Sequence, residues 1–246
     1  MLIAIVSDIH GNVTALDTVL ADCPGVDRVW CLGDVVGYGP NPVECIDRIR
    51  SRAEICIIGN HDLAAIGRLP IREFNEFAAE AAEWTGDQLS AEDKEFLDGL
   101  PETAVHGEYT LTHGSPRDPT WEYINSIDQA GDNFEYFETT ACFVGHSHVA
   151  IAFSVVAGAE PDWSSIRVDE AVPDDPIALG DRRHIINVGS VGQPRDRDPR
   201  AAYVILDTDS RTYCRRRVAY DIKETQTRMR RAGLPAPLWT RLTYGR

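Results

Sequence analysis

The sequence lacks any long apolar run. Its longest candidate, residues 149–159, is shorter than the roughly 18 residues that a membrane-spanning helix needs. The N-terminus also lacks a basic segment followed by a small-residue cleavage site, so residues 2–8 are interpreted as a first strand and not as a signal peptide. From these absences we expect a cytoplasmic protein without a membrane anchor.

Paired cysteine motifs, internal repeats and low-complexity tracts are also missing. The six cysteines are scattered without a C-x-x-C pair, which favours reduced core residues over a disulfide framework or a zinc ribbon. Glycine and proline together account for 33 of 246 residues, which is ordinary for a globular protein. We expect a single domain over residues 1–246, with a surface insertion at residues 157–181, where proline, aspartate and glycine are frequent.

Positive charge is scarce, and it is unevenly distributed. The formal net charge is -15, yet residues 211–246 contain ten basic and two acidic residues. An acidic body argues against nonspecific nucleic-acid binding, so a nucleic-acid partner would have to use this basic tail. For Arg215, Arg216 and Arg217, an exposed, charged strand edge is the simpler interpretation.

The first 60 residues alternate between strand-like and helix-like patterns. Strands are predicted at residues 2–8, 28–34 and 54–60, with helices at 12–21 and 42–50 between them. Such a βαβαβ start implies a parallel sheet whose ligands gather at the carboxyl ends of the strands. Residues 71–99 are predicted to form two helices with Phe74, Phe77 and Trp84 in the core. After residue 100 most segments are strand-like, so a second, strand-rich half faces the first.

Five short polar motifs stand at or near predicted strand ends, and they hold five of the seven histidines. The motifs are Asp8-Ile9-His10, Gly33-Asp34, Gly59-Asn60-His61-Asp62, His113-Gly114 and Gly145-His146-Ser147-His148. Each alone is a weak signal, but together they supply the oxygen and imidazole donors of a hydrolytic two-metal centre. The predicted ligands are Asp8, His10, Asp34, Asn60, His113, His146 and His148. Glycines beside them permit tight turns or close backbone approach.

These motifs resemble those of the calcineurin-like metallophosphoesterases, and more closely the small bacterial and archaeal phosphodiesterase-like branch. Residues 112–116, 187–196 and 232–235 are similar to that branch too, so the resemblance spans almost the whole chain. It implies an α/β fold, a two-sheet sandwich flanked by helices in four αββα layers.

The resemblance also implies roles for individual residues. Asp8, His10 and His148 would hold one metal ion, Asn60, His113 and His146 would hold the other, and Asp34 would bridge both. His61 would face the leaving group without binding metal. Gly37 occupies the position at which many family members have an aspartate, and an aspartate there would orient the histidine.

The donor set has no cysteine, so the two divalent ions could be Mn²⁺, Fe, Co²⁺, Ni²⁺ or Zn²⁺. Two carboxylates and an amide among the ligands favour Mn²⁺. In the loop after residue 187, Ser190, Gln193 and Arg195 are candidates for binding phosphate oxygens, and a plain surface turn is the alternative.

We therefore predict a dinuclear phosphoesterase that hydrolyses a small phosphodiester through attack by a metal-bridged hydroxide, with His61 and Asp34 as catalytic residues. One alternative is a phosphomonoesterase, such as a protein phosphatase or a nucleotidase, and another is a small nuclease. A binding scaffold without catalysis, as in the retromer subunit of this family, is the alternative from a different functional class. The sequence does not indicate an oligomeric state.

Overall fold

The computed structural model describes residues 1–23, 25–158, 164–169 and 172–246, which form two six-stranded mixed sheets flanked by helices. The first sheet contains β1 (Leu2–Val6), β2 (Arg28–Cys31), β3 (Ala53–Cys56), β9 (Ile177–Ala178), β11 (Ala201–Asp207) and β12 (Thr212–Val218). The second contains β4 (Thr103–His106), β5 (Tyr109–Thr112), β6 (Ala141–Val144), β7 (Ala152–Val156), β8 (Arg167–Asp169) and β10 (Arg182–Asn187). This arrangement confirms the predicted fold class.

Strand order explains why polar side chains gather at one edge of each sheet. The first sheet runs β3-β2-β1-β11-β12-β9, and its first three strands are parallel. The second runs β4-β5-β6-β10-β7-β8, with β5, β6 and β10 parallel. The carboxyl ends of parallel strands lie at the same edge, which is the usual position of a ligand crevice.

Helices flank the two sheets. They are α1 (Val13–Asp22), α2 (Pro42–Arg52), α3 (Asn60–Ala65), α4 (Glu76–Gln88), α5 (Ala91–Asp98), α6 (Ile127–Asn133), α7 (Ile222–Arg231) and α8 (Ala236–Thr240). Single 3₁₀ turns occur at Ile71–Glu73, Phe134–Tyr136 and Arg241–Thr243. Among the described residues, no helix is long and apolar enough to cross a membrane.

Alternation along β1 shows how the layers are held together. Ile3 and Ile5 face the second sheet and pack with Phe143 and other apolar side chains between the sheets. Ala4 and Val6 face the opposite way, into the core under the helices. Since successive strand residues point to opposite faces, one apolar strand serves two cores, which is why β1 has no polar residue.

Several sequence-based predictions need correction. Strands β1, β2 and β3 end earlier than predicted, because the chain leaves the extended conformation where the polar motifs begin. Helix α3, which begins at Asn60, was not predicted. Phe77 is 39% exposed and not a core residue. Of the segment 157–181, residues 159–163 and 170–171 lie outside the described residues, while β8 and β9 pair with opposite sheets.

The arginine run on β12 is not the exposed edge that its sequence suggested. Arg215 is only 7% exposed, and Arg217 pairs with Asp196. Arg216, on the other face, lies 3.2 Å from carboxylate oxygens of Asp22 and Asp174. Acidic neighbours therefore neutralise part of the basic tail within the fold.

Candidate metal centre

The predicted metal ligands converge from loops that follow five different strands. Asp8 and His10 follow β1, Asp34 follows β2, and Asn60 begins α3 after β3. His113 follows β5, while His146 and His148 follow β6. All seven are buried, and Asn60 Oδ1 lies 3.1 Å from His113 Nε2. The structure thus brings together every ligand that the motifs predicted.

Unusual backbone geometry aims these side chains into one space. Positive φ angles between 51° and 63° occur at Asp8, His10, Asp34, His146 and His148. A residue with a Cβ rarely adopts this region, and holding one there costs on the order of 1–3 kcal/mol. Such strain persists where the surrounding structure fixes it, and it clusters at functional sites. The chain therefore bends at Asp8-x-His10 and at His146-x-His148, and these motifs do not extend strands β1 and β6.

Donor atoms form three groups within which all ligand atoms lie within 4.8 Å of one another. The groups are Asp8, His10 and His148; Asp34, His113 and His146; and His10, Asp34 and His61. Asp34 is shared by two groups, and its Oδ2 lies 3.6 Å from His10 Nε2 and 3.3 Å from His113 Nε2. This position between the two halves of the site suits a bridging carboxylate.

Each of the four predicted histidine ligands contacts a backbone carbonyl through one ring nitrogen. The pairs are His10 Nδ1 with Val36 O, His113 Nδ1 with Leu32 O, His146 Nε2 with Trp121 O and His148 Nδ1 with Gln193 O, at 2.6–3.2 Å. A carbonyl only accepts, so that nitrogen carries the proton and the ring orientation is fixed. The other nitrogen is left for a metal, as is usual for histidine ligands in proteins.

Asp8 and Asp34 each accept a backbone hydrogen bond through one carboxylate oxygen. Asp8 Oδ2 accepts from the His146 backbone N–H at 3.0 Å, and Asp34 Oδ1 accepts from that of His61 at 2.8 Å. Their remaining oxygens, Asp8 Oδ1 and Asp34 Oδ2, are buried and have no hydrogen-bond partner within the described part of the chain. A buried carboxylate oxygen without a partner is costly unless a cation compensates it. The residues present therefore fit a two-metal centre.

Burial and mutual charge set the protonation of the site. Burial lowers the pKa of His10 and His148 well below its ordinary value, and that of His146 to about 3. Burial acts in the same direction on His113, but the Asp34 carboxylate outweighs it and raises the pKa to about 10. A positive charge is thus favoured beside Asp34 even though the site is buried.

Gly37 packs directly against the ring of His61. Its φ is +91°, and a Cβ built there would lie 2.8 Å from His61 Nδ1 and 2.9 Å from His61 Cβ. With His61 in this position, an aspartate at residue 37 would therefore collide with the histidine instead of orienting it. The ring of His61 can occupy this position because residue 37 is a glycine and not an aspartate.

Contacts with neighbouring rings, and not a carboxylate partner, position the ring of His61. Its ring centroid lies 4.3 Å from that of Tyr38, 4.9 Å from His10 and 5.0 Å from Phe74. Nδ1 is buried without a hydrogen-bond partner among the described residues, and burial lowers the pKa of the ring to about 4. The neighbouring Asp62 serves the backbone instead, accepting from the N–H groups of Val36 and Gly59.

An open cleft lies over this centre. Arg195 lines it, with Nη2 3.3 Å from the Tyr38 hydroxyl and 3.0 Å from Gln193 Oε1. Gln193 and Ser190 lie behind the cleft wall, and Ser190 Oγ donates to the Asp8 carbonyl at 2.8 Å. Of the three substrate-binding candidates, the structure places only Arg195 on the cleft surface.

Sequence reasoning missed three features of the cleft. Phe74, predicted to be a core residue, lines it, as do Trp121 and Tyr123 from the loop between β5 and α6. Arg241 near the C-terminus approaches Gln193 Oε1 at 3.4 Å, behind Arg195. No local pattern marks these residues, because their positions depend on how distant loops pack.

Comparison with known proteins agrees with this geometry. The model of the calcineurin-like phosphoesterase superfamily domain matches residues 1–211. An uncharacterized protein of Methanocaldococcus jannaschii is 37% identical, over all of this chain and 98% of its own. A metallophosphoesterase crystal structure from Sphaerobacter thermophilus is 44% identical over 100% of this chain and 99% of its own, with a TM-score of 0.90. A symmetrical bis(5'-nucleosyl)-tetraphosphatase from Dechloromonas aromatica is 33% identical, over 44% of this chain and 41% of its own.

Proposed function

Because this chain belongs to the calcineurin-like phosphoesterase superfamily, we propose that it is a dinuclear metal-dependent phosphodiesterase acting on a small substrate. The convergence of seven buried side chains that can bind metal carries this proposal, together with Asp8 Oδ1 and Asp34 Oδ2, which have no hydrogen-bond partner among the described residues. Asp8, His10 and His148 would hold one ion, Asn60, His113 and His146 the other, and Asp34 both. Bound divalent ions would supply an activated water and neutralise charge on the phosphoryl group.

His61 and Arg195 complete the proposed machinery. His61 is no ligand in this scheme; its imidazole faces the cleft, where it would protonate or hydrogen-bond the departing oxygen. Arg195 would donate to nonbridging phosphate oxygens, since a guanidinium pairs well with phosphate. Its contacts with Tyr38 and Gln193 hold it on the cleft wall.

Beyond the charge of the proposed metal ions, the cleft offers little positive charge, which favours a diester over a monoester. Among the described lining residues Arg195 is the one arginine or lysine, and Glu73 adds a negative charge. A diester monoanion needs less compensation than a monoester dianion. In a bis(5'-nucleosyl) tetraphosphate, the compound named for the partial relative, every phosphorus carries two bridging oxygens, as in a diester.

We also propose Mn²⁺ as the metal, because two carboxylates and an amide are hard oxygen donors. Six free cysteines favour a reducing compartment such as the cytoplasm. The pairing of Arg216 and Arg217 with carboxylates favours a small substrate over nucleic acid.

The test loads the protein with Mn²⁺ and compares bis(p-nitrophenyl) phosphate with p-nitrophenyl phosphate, followed by a nucleotide panel and an oligonucleotide. We expect kcat/KM to be at least about tenfold higher for the diester, a difference of about 1.4 kcal/mol in transition-state binding. Higher activity on the monoester would favour the phosphatase alternative, and faster oligonucleotide cleavage would favour a nuclease. Two bound ions without hydrolysis of any substrate would support the scaffold alternative.

A further inference from the structure

One wall of the cleft is aromatic, and the proposed chemistry uses none of it. Phe74 follows the 3₁₀ turn at Ile71–Glu73, and its ring centroid lies 5.1 Å from that of Trp121. Tyr123 stacks on His146 at 4.1 Å with an interplanar angle of 13°. Since His146 is a proposed metal ligand, this wall begins one ring away from the metal centre.

The wall is open to solvent. Tyr123 is 43% exposed although one of its faces covers His146, and Phe74 and Trp121 are only partly buried. Exposed aromatic rings grouped in a concave site commonly bind ligands, because their flat faces stack on other rings.

Polar groups at the rim of this wall restrict what can bind there. Glu73 and Asn75 are exposed and line the same cleft. Asn75 Oδ1 accepts from the Ala78 N–H at 3.1 Å to cap α4, which leaves its amide N–H₂ as a donor toward a ligand. The Glu73 carboxylate accepts hydrogen bonds and repels further phosphate groups. The wall therefore suits an uncharged ring system that carries both donors and acceptors.

We propose that Phe74, Trp121 and Tyr123 form a nucleobase subsite, so that the substrate is a nucleoside phosphate ester. The base stacks on the aromatic wall, and Glu73 and Asn75 hydrogen-bond the base edge or the ribose hydroxyls. The phosphate lies at the metal centre beside Arg195. This assignment rests on the proposed function, because a base on the wall and a phosphate at the metal centre can belong to one substrate only if phosphate binds at that centre.

Binding measurements on the Mn²⁺-loaded protein test the subsite without relying on turnover. Calorimetry compares AMP, ribose 5-phosphate and inorganic phosphate. Stacking of one base on aromatic side chains contributes enough that AMP should bind at least about tenfold more tightly than ribose 5-phosphate. In Tyr123→Leu and Trp121→Leu this preference should fall below about threefold, with phosphate affinity unchanged.

Two further variants serve as controls. Tyr123→Phe keeps the ring and should keep the preference for AMP. Tyr136→Leu removes a tyrosine that is 54% exposed and does not line the cleft, so it should change nothing. Equal affinity for AMP and ribose 5-phosphate in the parent protein would overturn the subsite while leaving the phosphodiesterase proposal intact. Failure of phosphate and ribose 5-phosphate to bind in a Mn²⁺-dependent manner would instead contradict the proposed metal centre.

Discussion

His10 Nε2 and His148 Nε2 lie 3.0 Å apart in the buried centre. Each ring donates its Nδ1 proton to a carbonyl, that of Val36 for His10 and that of Gln193 for His148. Burial keeps both imidazoles neutral by lowering the pKa of each, so two lone pairs face one another. Two lone pairs at this distance repel unless a cation binds to both nitrogens. Asp8 Oδ1, which lies 3.3 Å from His148 Nε2, is a third atom that could bind the same cation.

Metal content should distinguish the shared ligand from a ligand of one ion. We expect two Mn²⁺ per chain, measured by elemental analysis after desalting. Asp34→Asn should weaken the binding of both ions at least about tenfold, because Asp34 Oδ2 lies 3.6 Å from His10 Nε2 and 3.3 Å from His113 Nε2, whereas His148→Ala should lose one ion. Asp93→Asn is the control, since Asp93 is a buried carboxylate that caps α5 outside the site. Loss of a single ion from Asp34→Asn would contradict bridging.

His61→Ala should keep both ions and lose about 10²–10⁴-fold in kcat. The loss should grow as the leaving group becomes more basic, because a proton from the imidazole matters most when the departing oxygen is a poor leaving group. A series of substituted phenyl diesters measures this. An equal loss for every leaving group would indicate that His61 stabilises the phosphoryl oxygens and does not act as an acid.

Gly37→Ala should displace His61, since the new Cβ would lie 2.8 Å from Nδ1. We expect metal content to stay at the parent value, kcat to fall toward that of His61→Ala, and stability to drop by about 1–3 kcal/mol. Gly67→Ala is a matched control, because Gly67 has a φ of +79° but open space around its Cβ position. It should lose stability without losing activity. Full activity in Gly37→Ala would show that the position of His61 does not depend on this glycine.

Arg195→Gln should raise KM or lower kcat for every phosphate ester, because nonbridging oxygens are common to all of them. Arg200→Gln is the control, since Arg200 pairs with Asp198 and is absent from the lining of the cleft. An effect on one substrate alone would assign Arg195 to leaving-group recognition. Steady-state kinetics on a diester and a nucleotide are sufficient.

Acid should weaken the loop that carries Trp121 and Tyr123 through Glu122. Burial would raise the Glu122 pKa, but hydrogen bonds from Arg117, Ser115 and Asn133 outweigh it and lower the value to about 2. A depressed folded-state pKa stabilises the protein above the ordinary value near 4.5, and the stability is lost as pH falls toward 2. Arg117 is partly exposed, so we expect Glu122→Gln to cost only about 1–2 kcal/mol at pH 7.

Denaturant unfolding of the parent and of Glu122→Gln at pH 7 and at pH 3 measures this loss. The difference between the two proteins should shrink at pH 3, because below about pH 4.5 the unfolded parent binds a proton that the folded carboxylate does not. Glu108→Gln, which removes an exposed ion pair with Arg211, should show a much smaller difference at either pH. A gap between parent and Glu122→Gln that stays constant with pH would exclude the ionised carboxylate as its source.

The sequence by itself determined the alternation of strands and helices and a candidate set of metal donors, whereas the two-sheet sandwich came from the resemblance to a family. The alternation and the candidate donors are encoded locally: β-branched runs specify buried strands, and short motifs at strand ends place Asp8, His10 and His146 where parallel strands deliver their ligands. The bends at these residues were not predictable, because positive φ at Asp8 is held by surrounding contacts and opposes local preference.

Tertiary structure alone decided the surroundings of that centre. Residues far apart in the chain meet there, so Phe74 lines the cleft while it also packs against a core cluster, and Arg215 is buried instead of exposed. The same holds for His61. From the sequence, the glycine at residue 37 was interpreted as the loss of an aspartate that would orient this histidine. In three dimensions Gly37 leaves the room that the ring occupies, with Tyr38 and Phe74 packed around it. Residue type and spacing specify which donors are available, whereas packing between distant loops decides which side chains share a cavity, and a single sequence does not contain those distances.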